Sequence, residues 1–79
     1  MELTVDTSEL VAGDIVMIEE TSVLIEGGCT TWGGFQGRTV YHWNGRIIAG
    51  PHPLGWDLAR NRDWDIQGND LAMWDVRRG

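Results

Sequence analysis

A mainly β fold, a small and strongly bent sheet or barrel of five to six short antiparallel strands, is predicted by three features of the sequence. Short runs rich in Val, Ile, Thr and Trp recur along the chain, Gly, Pro, Asn and Asp punctuate them at close intervals, and only one stretch has helix-start chemistry. At 79 residues the chain is read as a single domain, 1–79. A chain of that size buries only about 60% of the surface it exposes when unfolded, so its core is thin.

Taken in order, Asp6-Thr7-Ser8-Glu9 ahead of Leu10 has the D-x-x-E form of a capping box. The Asp6 carboxylate accepts from an unpaired backbone N–H and Glu9 reaches back, which predicts one short N-terminal helical turn. Gly13 lets the chain leave that turn. Residues 14–20 (DIVMIEE) read as the first strand and 23–26 (VLIE) as the second, with Thr21-Ser22 as the tight connection. Residues 27–37 (GGCTTWGGFQG) hold five glycines around Trp32 and Phe35 and read as a loop.

The strongest local signal is Asn44-Gly45 between 39–43 and 46–49, because both residues accept the positive φ of a type I′ hairpin turn. That turn sets Tyr41, Trp43, Arg46 and Ile48 on one face and Val40, His42, Ile47 and Ala49 on the other. Gly50-Pro51-His52-Pro53 leaves the sheet, since neither proline donates to a ladder, and an irregular stretch continues through Arg62. Residues 63–67 alternate with Trp64 and Ile66 inward, and 73–77 with Trp74 and Val76 inward. Between them, 68–72 has the length of one 3₁₀ turn before the last strand, with Leu71 plugging the end of the core. A penultimate strand, a 3₁₀ turn and a closing strand fit an SH3-like β-barrel best. An OB-like barrel is the second choice, because it needs a longer helix where 50–62 carries two prolines.

Charge narrows the function. Twelve acidic residues face six basic ones, all arginine, for a net charge of −6. An acidic domain lacks the basic face that draws in nucleic acid, so no direct nucleic-acid binding is expected. No apolar run approaches the roughly 18 residues of a membrane span, and no membrane partner is expected. Cys29 is the only cysteine, which excludes an intramolecular disulfide, and Met1 to Val5 lacks the pattern of a secretory signal, so the expectation is a cytoplasmic protein.

Two stretches, SELVAGDIV (8–16) and WDIQGNDLAMWDV (64–76), resemble small uncharacterised proteins encoded by bacteriophages of actinobacteria. There a G-D turn opens the first strand and a Q-G-N-x-L-A turn precedes the last. The absence of lysine agrees with a GC-rich source. The resemblance implies an actinobacteriophage origin, the cytoplasm of an infected host as the location, and a host protein as partner, since members with a known activity often bind and disturb one.

The chemistry-bearing residues do not assemble a reaction centre by spacing. Cys29, His42 and His52 lack the paired spacing of a zinc site, and no cofactor or metal is expected. Cys29 has no orienting partner for nucleophilic work, the 33–37 run (GGFQG) lacks the Lys-Ser/Thr of a phosphate loop, and alternation sends Asp63, Asp65 and Asp75 outward. The sequence therefore reads as non-enzymatic. Its unusual feature is five tryptophans. Trp64 and Trp74 fall at inward positions and read as core. Trp32, Phe35 and Trp56 fall in irregular segments, where aromatic rings either plug a thin core or anchor a partner, and Arg60 and Arg62 stand beside Trp56. The predicted function is a protein-binding module using Trp32, Phe35, Trp56, Arg60 and Arg62. One alternative is self-association as a virion or assembly component; another is an acidic nucleic-acid mimic presenting Glu9, Asp14, Glu19, Glu20 and Glu26 to a host DNA-binding protein.

Overall fold

A computed structural model describes residues 1–55 and 62–79, with the side chain of Phe35 also outside the description. Six strands form one antiparallel sheet: β1 (Glu2–Asp6), β2 (Ile15–Ile18), β3 (Thr21–Gly33), β4 (Thr39–Ala49), β5 (Ile66–Gly68) and β6 (Met73–Arg77). Their order is β1-β6-β2-β3-β4-β5, so β2 to β5 run as a meander and the last strand returns to lie between β1 and β2. Among the described residues β1 and β5, at the two ends of the order, do not pair, and the sheet stays unclosed.

The N-terminal turn forms as its sequence dictates. Thr7–Glu9 is a 3₁₀ turn capped by Asp6, whose carboxylate accepts the Ser8 N–H at 2.8 Å while Glu9 Oε1 accepts the Asp6 N–H at 3.2 Å. Thr7, fully buried, ties together strands that are not neighbours in the sheet. Its carbonyl accepts Trp43 Nε1–H from β4 at 2.8 Å, and its hydroxyl accepts Trp74 Nε1–H from β6 at 2.9 Å. The sheet must curl for one residue to reach both. Inside the curl lie Val5, Leu10, Val16, Val23, Ile25, Ile47, Ile66 and Val76, flanked by Leu3, Ile18, Trp43, Trp64 and Trp74. Trp64 and Trp74 thus pack against the core, and the inward and outward sets of 63–67 and 73–77 are as the alternation predicts.

Several sequence expectations are overturned. Asn44-Gly45 is not a turn: β4 runs unbroken through it, and neither residue has positive φ. Gly45 is instead a point of close approach, since a Cβ there would lie 2.3 Å from the Trp64 carbonyl oxygen and 2.8 Å from Val23 Cγ1. Because the strand continues, Trp43 shares the core face with Gly45 and Ile47, while Arg46 and Ile48 are exposed on the other. The connection after β2 is Glu19-Glu20, with Glu19 at φ +54°, and Thr21-Ser22 already pair with Ile18 and Met17. The segment preceding β6 is a turn closed by Ala72 N–H to Asn69 O rather than a 3₁₀ helix, and Leu71 is exposed rather than a plug.

The glycine-rich segment is mostly strand. From Ile25, opposite Gly45, to Thr30, opposite His42, β3 inserts four residues where β4 has two, which makes a double bulge. Gly28 sits in it at φ +69°, with Asn44's side chain where its own Cβ would be. Beyond the bulge β3 and β4 continue as a hairpin to the 3₁₀ turn Phe35–Gly37.

Candidate interaction surface

The outer end of the β3–β4 hairpin carries the largest departure from the expectation of a loop. Cys29 to Gly33 are all exposed, and Trp32, opposite Val40, keeps 42% of its surface accessible. Its ring stands 6.0 Å from that of His42, tilted by 58°. His42 is in turn fixed by Asp65: the carboxylate can only accept, so Nε2–H donates to Oδ2 at 2.9 Å. Asp65 Oδ1 accepts the Gly45 N–H at 3.1 Å. An exposed indole on β3 is thereby backed by an imidazole on β4 and a carboxylate at the entry to β5, all on the sheet's outer face. On the hairpin's other side Arg38 Nη1 meets Asp70 Oδ1 at 2.8 Å and ties the hairpin end to the turn before β6.

Of the five residues singled out from sequence, Trp32 is exposed on a strand, and Phe35 lies in the turn that closes the hairpin. Trp56 and Arg60 lie outside the described residues. Arg62 is half-buried and structural: its carbonyl accepts the Ile47 N–H at 2.6 Å and its Nη2 lies 3.4 Å from the Gly50 carbonyl oxygen. Ile47 and Val40, the β4 neighbours of Arg62 and Trp32, are seven residues apart on one strand, about 23 Å. Trp32 and Arg62 therefore do not share one patch. The acidic face is broken as well, because Asp14 is fully buried and paired with Arg78, and Glu9 Oε1 caps the first turn.

The His42–Asp65 pair is not visible in the spacing of the sequence. Both residues fall at outward positions by alternation, but the misplaced turn at Asn44-Gly45 hid the register that brings them together. Among the described residues no three His, Cys, Asp or Glu side chains gather to hold a metal ion, and no helix is long and apolar enough to cross a membrane. Cys29 is exposed and unbridged.

Comparison with protein-family models, with curated proteins and with solved structures finds no match.

Proposed function

We propose that this chain is a small non-enzymatic protein-binding module, phage-encoded and built on an SH3-like barrel, that engages a protein through the outer end of its β3–β4 hairpin. The observation that carries this reading is Trp32: a large ring left exposed on a regular strand and buttressed by His42 and Asp65. Exposed, rigidly seated aromatics are the side chains that contribute most at protein interfaces. The barrel assignment draws on the meander β2 to β5, the return of β6 to β2, and the curl that Thr7 requires. A host protein is the partner implied by the actinobacteriophage resemblance.

The test is an affinity-tagged pull-down from an actinobacterial lysate, run with and without nuclease and at two salt concentrations. One dominant protein retained at both salts and lost with Trp32→Ala supports the reading. Capture that is unchanged by Trp32→Ala, or that disappears with nuclease, contradicts it. Self-association is a second reading, favoured by the edge of β3 over 29–33, which carries no charge and which no strand covers among the described residues.

A further inference from the structure

The edge of β3 beyond Ile25 has a defined hydrogen-bonding direction. Odd-numbered residues of β4 turn their backbone groups toward β5: the Gly45 carbonyl accepts from Trp64 N–H, and Ile47 N–H donates to the Arg62 carbonyl. Even-numbered residues, including His42 and Val40, therefore face β3, where they pair with Thr30 and Trp32. The bond from Gly34 N–H to the Arg38 carbonyl, 2.7 Å, continues the same set. By alternation the N–H and C=O groups of Thr31 and Gly33 point away from β4. On that side β2 pairs only as far as Leu24, with Gly13 and Asp14 reaching Ile25. Among the described residues no strand covers 29–33.

Natural edges of this kind are blunted by charged side chains, prolines, bulges or shortness. Here 27–37 contains no charge and no proline, in a chain whose net charge is −6, and the bulge lies at one end of the open stretch. The double bulge limits the open edge to the hairpin end. What remains is self-complementary.

We infer that two copies of this chain pair antiparallel through their β3 edges, about a two-fold axis at Trp32. In that register each Thr31 exchanges backbone hydrogen bonds with Gly33 of the second copy, and the two Trp32 residues stand directly opposite each other. They occupy a non-hydrogen-bonded position, where Cα atoms approach to about 4.5 Å and aromatic side chains interact most closely. The contact is isologous and closes on itself, so it yields a dimer rather than a filament. It covers the exposed indole and satisfies the open edge in one step, and the uncharged edge lets two acidic chains meet without apposing like charges. This inference rests on reading the hairpin end as a protein-binding surface, and names a second copy of the chain, in place of a host protein, as its occupant.

The experiment is sedimentation equilibrium from micromolar to millimolar protein on the wild type, Thr31→Pro and Trp32→Lys, with near-ultraviolet circular dichroism as the check on folding. Thr31→Pro removes an edge-facing N–H and no β3–β4 bond; Trp32→Lys apposes two cations at the axis. A wild-type dimer, with both variants monomeric and folded, is the expected result. Should Thr31→Pro lose its native spectrum, Trp32→Lys decides alone. A monomeric wild type at millimolar concentration, or a folded variant that remains dimeric, overturns the pairing. If a monomeric wild type still retains a foreign protein through Trp32, the protein-binding reading stands and only the self-pairing falls. If it retains none, both fall.

Discussion

Arg78 grips Asp14 across 64 residues of sequence with two parallel contacts, Nε to Oδ1 and Nη2 to Oδ2, each 2.8 Å. Asp14 is fully buried, and its Oδ2 also accepts the Val11 N–H at 3.0 Å while its carbonyl accepts the Ile25 N–H at 2.8 Å. One residue thus fastens the end of the chain, the exit from the first turn and β3. Asp14→Ala removes a fully buried carboxylate and leaves the part-buried Val11 N–H without its acceptor, and is expected to cost about 2 kcal/mol. The shift in urea midpoint at unchanged slope measures it.

The same pair sets a pH response. The hydrogen bonds from Arg78 hold the Asp14 carboxyl below its ordinary value of 3.8, outweighing the opposite pull of burial. Asp6 is lowered as well, chiefly by the Ser8 hydroxyl. A carboxyl depressed in the folded state stabilises it fully above the unfolded value, and the contribution is lost as pH falls through the folded one. Stability is therefore expected to hold above about pH 4 and decline below it. Asp14→Asn should flatten that decline, which thermal melts taken across the acid range will show.

Gly45→Ala forces a methyl group onto the Trp64 carbonyl and Val23 and is expected to destabilise by about 2–3 kcal/mol. Asn44→Thr places a β-branched residue at an exposed strand position and should change stability by less than about 0.5 kcal/mol. A type I′ turn would make Asn44→Thr the costly change. Chemical denaturation of the two variants gives the ranking.

Thr7→Val keeps the shape of the buried side chain and removes the hydroxyl that accepts Trp74 Nε1–H and lies 3.4 Å from the Ala72 carbonyl oxygen. The expected loss is about 1–2 kcal/mol. The variant should also alter the near-ultraviolet signal of Trp74, because the indole loses its partner in the core.

Where the controlling interactions are local, the fold was legible from sequence. The capping box at Asp6 and Glu9 needs only residues three apart, and the faces of 63–67 and 73–77 follow from the pleat alone. At two of the places where the structure departs from these expectations glycine is the reason, because its uses look alike in sequence. Gly45 is required for space beneath Trp64 rather than for positive φ, and Gly27 and Gly28 form a bulge inside a strand rather than a loop. Strand β1 went unread, although Leu3 and Val5 alternate inward, because its five residues at the start of the chain carry no turn signal. At the candidate surface Trp32 stood out by composition. The His42–Asp65 support depends on a strand register that the Asn44-Gly45 signal pointed away from.

The continuous β4 strand creates the hairpin end on which the functional reading depends, and one nuclear Overhauser spectrum tests it. Thr31 and Tyr41 are opposed at a non-hydrogen-bonded position, which brings their Hα protons into close contact. A strong Thr31 Hα to Tyr41 Hα cross-peak is the predicted result. Its absence, with cross-strand contacts between Trp43 and Arg46 in its place, would restore the tight turn at Asn44-Gly45 and contradict the account.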